Sequence, residues 1–474
     1  MGRIEFGTDG WRAAIAEDYT FDNVRICTQG VADYLVQTGR APNGLVVGYD
    51  KRFASENFAA STAEVLAANG VKVYLCDRAC PIPASTYAIL GLHAAGAAVI
   101  TASHNPWTDN GFKYKPEYAG SASPEIVAEL ETRIREVEDG KVQVKRMPLT
   151  QAVGSGRIAY FDPDPAYLAQ MARLVDLERI KDGGLRVAFD AMHGAGGGYI
   201  TRLVGGGRTQ IHELRADRNP WFDGKAPEPI PRNLEPLLEA MSTGSYEIGL
   251  TTDGDADRVG MVDEKGRFVT QLQVYGLLAL YLLEARGMRG PLVKSITTTS
   301  MAYRLGEQYN VPVYETAVGF KYLGPKMQET DAILAGEESG GFAFHGHIPE
   351  RDGVLASLYL MDLVLRLGKK PSELIDYLYS KVGGHYYDRV DVHFPAERRG
   401  EIINRMDTAR PAQIAGSRVK SIDRADGVRF FLEDGSWLLI RFSGTEPIMR
   451  VYTETTSPER IPVILQEGRE LAGV

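Results

Sequence analysis

The stretch Ala97-Ala-Val-Ile-Thr-Ala-Ser-His-Asn-Pro106 decides the fold, because its grammar recurs twice further along the chain. An apolar run ends abruptly in a polar turn, the pattern of a buried strand that delivers a loop at its carboxyl end. The counterparts are Tyr246-Glu-Ile-Gly-Leu-Thr-Thr-Asp-Gly-Asp-Ala-Asp-Arg258 and Asp331-Ala-Ile-Leu-Ala-Gly-Glu-Glu-Ser-Gly-Gly341. A strand–loop–helix–strand signal precedes each: GLVVGYDKR to VKVYLCD, LRVAFDAMHGAG to TQIHELRAD, and PLVKSITTTS to VPVYETAVG. A further strand-like stretch follows each: GFKYKP, VGMVDEKGRFV and GFAFHGHI. Strands alternating with helices predict mixed sheets covered by helices, and right-handed crossovers place the three loops at equivalent corners.

The repeat predicts an α/β protein with three similar mixed-sheet domains, over 1–139, 157–268 and 269–370. The polar stretch 140–156 reads as the first linker. Beyond about Pro371 the pattern breaks. YYDRVDVHF, a helical stretch Glu397 to Asp407, VRFFLEDGSWLLIRF with a hairpin signal at Asp434-Gly435, IMRVYTE and a final helix predict a smaller α+β domain over 378–474.

A net charge of −9 argues against nucleic acid or an anionic membrane as partner, while local Arg and Lys leave room for an anionic small molecule. MGRIEFGTDGW carries no apolar signal region, and no apolar run is long enough to span a bilayer. Cys27, Cys76 and Cys80 are too few for a disulfide framework and read as buried free thiols. The expectation is a soluble, cytoplasmic protein.

The three loops carry different chemistry. The first offers Ser103 as a hydroxyl nucleophile. In the second, Asp253, Asp255 and Asp257 fall at every other residue, spacing that converges carboxylates on one hard cation such as Mg²⁺. Its rivals are a solvated acidic turn and an EF-hand, with Glu264 at the twelfth position. Against the EF-hand, Arg258 stands where glycine is needed and both flanks read as strands. Arg258 beside three aspartates suits a bound anion. In the third, Glu337 and Ser339 suit neighbouring sugar hydroxyls, with a plain surface turn as the alternative. In the last domain, Arg441-Phe-Ser-Gly-Thr-Glu-Pro447 with Arg450 reads as an anion cradle: Arg441 supplies a planar fork, and Ser443, Thr445 and the backbone at Gly444 complete it. The alternative is a structural turn with solvated arginines. Together the loops suggest phosphoryl transfer on a sugar phosphate, a reaction slow enough to demand a metal and cationic donors.

TASHNP, DGDADR, GEESGG and RFSGTEP, in this order and spacing, resemble the α-D-phosphohexomutases, the phosphoglucomutase/phosphomannomutase superfamily. The resemblance runs over essentially the whole chain and implies four domains around a central cleft. It implies that Ser103 is phosphorylated in the resting enzyme, with Mg²⁺ held by that phosphate and by Asp253, Asp255 and Asp257. It implies a 1,6-bisphosphate intermediate, with Glu337 and Ser339 on the sugar's 3- and 4-hydroxyls. Arg441, Ser443, Gly444, Thr445 and Arg450 would lie at the non-reacting phosphate. Arg12 and Arg258 would sit near the transferred group, and Lys113 would exchange a proton with the sugar. Some members end the sugar loop in histidine; here that position is Gly341, and Lys321 is the candidate substitute. His104 is expected to shape the serine turn.

The resemblance therefore implies a phosphoglucomutase acting on hexose phosphates, with glucose 1,6-bisphosphate as activator, as a monomer or homodimer. A dual glucose/mannose enzyme is the runner-up, ahead of a metal-dependent phosphatase and a non-catalytic sugar-phosphate sensor.

Overall fold

The computed structural model describes residues 3–7, 9–442 and 448–474. The first sheet contains β1 (Trp11–Ala14), β2 (Leu45–Tyr49), β3 (Val73–Cys76), β4 (Gly96–Ile100), β5 (Asp109–Pro116) and β6 (Ile158–Phe161), ordered β1-β5-β4-β2-β3-β6. The second holds β7 (Arg186–Asp190), β8 (Gln210–Leu214), β9 (Ile248–Thr252), β10 (Val259–Val262) and β11 (Phe268–Val269), ordered β11-β10-β9-β7-β8. The third holds β12 (Leu292–Ser295), β13 (Val313–Thr316), β14 (Leu334–Gly336) and β15 (Phe342–Phe344), ordered β13-β12-β14-β15.

One arrangement underlies all three. In β3-β2-β4-β5, β8-β7-β9-β10 and β13-β12-β14-β15, three strands run parallel and the fourth turns back antiparallel. The serine, aspartate and glutamate loops each join the third strand to the fourth, so the repeat read from sequence is a structural repeat. The reason lies in the third strands: β4 and β9 are buried along their whole length, which needs cover on both faces. Helices such as Ser55–Ala68 and Ile82–Leu92 in the first unit supply it. The loop at the carboxyl end of such a strand is the part left free for chemistry.

Two expectations are corrected. The stretch 140–156 is more than a linker: it contains the helix Leu149–Gly154, and Ala152 is buried in the first core. β6 falls within the expected second domain, yet it pairs in parallel with β3 and completes the first sheet. An edge strand satisfies its backbone groups on whichever sheet is open to it, and local sequence does not report which.

The last sheet is antiparallel throughout: β16 (Tyr386–His393), β17 (Gln413–Ile414), β18 (Ser417–Asp423), β19 (Val428–Leu432), β20 (Trp437–Phe442) and β21 (Ile448–Thr455), ordered β16-β21-β20-β19-β18-β17. Helices Arg399–Thr408 and Ile461–Ala472 contribute Ile402, Met406 and Ile464 to a core with Leu438, Ile440 and Val451. The opposite face sets Trp437, Leu439 and Tyr452 against Ile296, which follows β12. Among the described residues no helix is long and apolar enough to cross a membrane.

Candidate active site

The serine loop leaves β4 through a side-chain-bonded turn. The Ser103 N–H donates to Thr101 Oγ1 at 2.9 Å, and Thr101 Oγ1 donates to Asp50 Oδ2 at 2.6 Å. This holds Ser103 at φ 53°, a left-handed conformation uncommon for a residue with a side chain. Its buried hydroxyl donates to Asp253 Oδ2 at 2.7 Å. Gly254 makes the approach possible, since a Cβ there would lie 2.4 Å from the Ser103 carbonyl oxygen.

Asp253 ties its own loop together by accepting the N–H groups of Asp257 and Arg258 at 3.0 and 3.1 Å. Asp253, Asp255 and Asp257 are all buried, and one oxygen from each lies within 4.8 Å of the others. The EF-hand alternative fails here. β9 and β10 flank the loop, and the Glu264 carboxylate accepts from Ser372 instead. Burial and the neighbouring carboxylates push the Asp253 carboxyl well above its usual range, and burial raises Asp257 as well. Burial would raise Asp255 too, but the Lys113 ammonium, with a hydrogen bond to Asp253 and the nearby Arg351, outweighs it and holds that carboxyl low. Asp255 Oδ1 and Asp257 Oδ1 are buried without a hydrogen-bond partner among the described residues. All-oxygen donors, surplus negative charge and two orphaned oxygens fit a hard divalent cation.

Lys113 reaches the triad from β5. Its ammonium donates to Asp255 Oδ2 at 2.9 Å and lies 3.5 Å from Asp257 Oδ2 and 2.9 Å from Asp9. Burial pulls the ammonium down, but Asp255, Asp9 and Asp257 outweigh it and hold Lys113 above the usual lysine range. Arg12, on β1, donates to Asn105 Oδ1 at 2.7 Å, within the serine loop. Arg258 is buried, with Nε 3.9 Å from both Asp253 and Asp257. Burial, then the surrounding Arg258, Arg12 and Lys113, drives His104 well below its usual range; its Nδ1 lies 3.4 Å from Ser103 Oγ.

The glutamate loop joins this centre through the backbone. Arg258 bridges Gly341, and the Val259 N–H donates to the Gly340 carbonyl at 3.0 Å. Glu337 is buried and accepts from Ser339 Oγ at 3.3 Å. Glu338 turns the other way, accepting from Tyr387 at 2.6 Å and Arg389 at 3.2 Å on β16. Among the described residues no hydrogen bond or ion pair joins Lys321 to the cluster. It lies in the first turn of the helix Phe320–Thr330, and its ammonium stands 5.4 Å from the Tyr322 ring centroid.

In the last domain Arg441 and Arg450 face each other across β20 and β21. Arg441 Nε donates to Asp426 Oδ1 at 3.0 Å, and Arg450 Nε lies 3.8 Å from Asp391. Ser443, Gly444 and Thr445 lie outside the described residues.

Four residues at the centre, Asp9, Lys115, Glu350 and Arg351, went unread in the sequence. Arg351 Nη2 pairs with Asp9 and lies 3.0 Å from Asp257 Oδ2; its Nε donates to Glu350 at 3.0 Å, and its Nη1 lies 3.8 Å from Glu337. Lys115 donates to Asp9 at 2.7 Å and to Glu350 at 2.5 Å. Gly341 explains how Arg351 fits: a Cβ there would lie 2.3 Å from Arg351 Cδ, so the arginine occupies the space a side chain at 341 would need. Two signals were available, Asp9 in the same motif as Arg12 and Lys115 two residues beyond Lys113 on one face of a strand. Pro349-Glu-Arg-Asp-Gly353 carried none.

Three repeated α/β units converging on a buried serine, a carboxylate triad and flanking cations define an enzyme centre for handling phosphate. Family models for phosphoglucomutase/phosphomannomutase match residues 3–141 (alpha/beta/alpha domain I), 165–266 (domain II), 272–382 (domain III) and 401–470 (C-terminal domain). The chain belongs to this family, the α-D-phosphohexomutases, whose members are sugar-phosphate mutases. It is 29% identical to the phosphoglucomutase/phosphomannomutase of Thermococcus kodakarensis, over 99% of this chain and 98% of the relative. It is 28% identical to a protein of Methanopyrus kandleri provisionally named a phosphoglucosamine mutase, over 97% and 95% of the two chains. A crystal structure from Thermus thermophilus, provisionally named a phosphomannomutase, shares 33% identity and superposes with a TM-score of 0.86 over 100% of both chains.

Proposed function

We propose that the protein interconverts glucose 1-phosphate and glucose 6-phosphate through a phosphorylated Ser103 and a 1,6-bisphosphate. The observation that carries the reading is the buried Ser103 hydroxyl 2.7 Å from Asp253, inside a carboxylate triad with two unpartnered oxygens. In the forward step the bond between phosphorus and Ser103 Oγ breaks as a bond to the sugar hydroxyl oxygen forms. The hydroxyl proton passes to a non-bridging oxygen of the transferring phosphoryl group. Ser103 Oγ then takes the other phosphoryl group from the reoriented bisphosphate, which restores the phosphoserine.

Asp253, Asp255 and Asp257 would hold Mg²⁺, which supplies charge neutralisation for the transferred phosphoryl group. Lys113, held as an ammonium beside the triad by Asp255, Asp9 and Asp257, would act as proton donor, with Arg12 and Arg258 stabilising charge on the moving phosphoryl. Lys321, the candidate second acid–base group, would have to reach the sugar from the helix Phe320–Thr330. Glu337 and Ser339 would accept and donate hydrogen bonds to adjacent sugar hydroxyls. Arg441, Arg450 and the 443–445 segment would hold the phosphate that does not react.

Glucose preference rests on the sugar loop, because GEESGG with VGFKY resembles glucose-preferring members of the family more than glucosamine mutases, whose sugar loop usually contains a glutamine. Mannose differs only at C2, and none of the residues assigned above is aimed at that position. The test is kcat/KM on glucose, mannose and glucosamine 1-phosphates with Mg²⁺ and glucose 1,6-bisphosphate present. Glucose should be the preferred substrate. A preference for glucosamine overturns the assignment, equal rates on glucose and mannose replace it with the dual enzyme, and release of free phosphate without isomer marks a phosphatase.

A further inference from the structure

Arg52 closes the GLVVGYDKR stretch and has no role in the chemistry above, yet it is fully buried against the serine loop. Its Nη2 donates to the carbonyl oxygens of Ser103 at 2.7 Å and Asn105 at 2.6 Å. Its Nη1 donates to those of Pro106 at 2.8 Å and Asp109 at 3.0 Å. Nε faces Asp50 at 3.3 Å, and Asp50 is the residue that accepts from Thr101 at the start of the same loop. One planar cation therefore gathers the loop's inward carbonyls while its counter-ion holds the loop's entrance. A lysine could not do this, because its ammonium is a point donor without the fork.

The second domain closes the other face. The Phe222 ring lies 5.1 Å from the Arg52 guanidinium carbon, and Phe222 is itself buried. Beside it Trp221 meets Trp107 of the serine loop edge to face, with ring centroids 6.5 Å apart. Phe222 and Asp223 sit at φ 49° and 54°, left-handed conformations that need outside support. That support is visible: Asp223 accepts from Asn219 at 2.8 Å and lies 3.0 Å from His193 Nε2, while Arg218 donates to the Arg52 carbonyl at 3.2 Å.

We propose that Arg52 is a positioning residue for Ser103, and that Phe222 of the second domain is the brace that keeps its guanidinium seated. Through this pair, docking of the second domain would set the left-handed serine turn in line with Asp253. The inference rests on the proposed phosphoserine chemistry.

The experiment measures kcat, KM and melting temperature for wild type, Arg52→Lys, Phe222→Leu and Phe222→Tyr, with intact mass to follow phosphate on Ser103. Arg52→Lys should lower kcat about 100-fold, the scale of a 1 Å misplacement, with KM within about twofold. Phe222→Leu, which leaves Arg52 in place, should lower kcat about 10-fold, and Phe222→Tyr should stay near wild type because the ring face is kept. Folded Arg52→Lys or Phe222→Leu protein with wild-type kcat overturns the inference. If Arg52→Lys does not fold, Phe222→Leu decides; failure of both to fold makes the pair merely structural and also overturns it. Wild-type protein that neither isomerises hexose phosphates nor carries phosphate on Ser103 breaks the functional reading, and the inference with it.

Discussion

The serine end of the molecule and the Arg441–Arg450 end, the proposed phosphate clamp, are supported differently. At the serine end, buried charges interlock across domains: Lys113 and Arg351 both reach Asp9 and Asp257, and Arg52 gathers carbonyls under a ring from the second domain. The second and third domains also share one continuous apolar core, in which Leu250, Leu278 and Leu358 are fully buried. The clamp end hangs on polar contacts. Glu315 pairs with Arg429 and with Lys294 at 2.6 Å, Glu454 accepts from Thr299 and Ser300, and the shared apolar patch around Trp437 is small. Lys294, Thr299, Arg429 and Glu454 are buried too, and buried ion pairs lose heavily when one partner goes, so the ends differ in apolar support, a continuous core against a small patch. The difference teaches where rigidity is spent: in the proposed chemistry bonds are made at the interlocked end, and the end with the smaller apolar seam would hold the phosphate that does not react.

Ser103→Ala tests the interlocked end hardest. Mutase turnover should fall by ~10⁴-fold or more, with circular dichroism and melting temperature close to wild type. Measurable wild-type-like turnover would remove the serine from the chemistry. Arg351→Met comes next, since it strands Asp9, Asp257 and Glu350 without their shared cation. A buried pair broken on one side costs about 3–5 kcal/mol, which a denaturant titration reads directly, and Arg351→Lys should recover part of it. An unchanged unfolding midpoint would show that the cluster carries little energy.

The clamp end should respond differently. Arg441→Gln should raise KM about 10-fold with a smaller change in kcat, as expected from losing a charge-assisted hydrogen bond of about 1.5–3 kcal/mol. A pure kcat loss would place Arg441 with the chemistry instead. The smallest effect concerns Glu315. Burial alone would raise its carboxyl, but Arg429 and Lys294 outweigh it and hold it at about 2. A carboxyl depressed in the folded state stabilises above its unfolded value and loses that contribution as pH falls toward the folded one. The melting-temperature gap between wild type and Glu315→Gln should therefore be largest near neutrality and close as pH falls from about 4.5 toward 2. A gap that ignores pH would show that hydrogen bonding rather than charge holds the contact.

Much of this was legible in the chain. The apolar third strands, their loops and the alternating aspartates are local patterns, and local spacing reports them. The β17–β18 hairpin is not legible because a register shift after Val419 sets the apolar residues of β18, Val419 and Ile422, three positions apart and breaks the strand alternation. β6 was assigned to the wrong neighbour because strand pairing is a choice between distant edges. Arg52 sat in full view beside a strand, but nothing in its surroundings announces that it collects carbonyls more than fifty residues away.

By itself the sequence determined the repeat, the order of the loops and the residue types each loop offers, since these follow from short-range periodicity and side-chain chemistry. Only the tertiary structure decided which charges meet. Arg351 and Asp9 are separated by 342 positions, and their pairing depends on the missing side chain at Gly341 and on the packing of three domains. A buried charge is tolerated only where the fold brings it a partner, and that partner is chosen by geometry, which no stretch of neighbouring residues records.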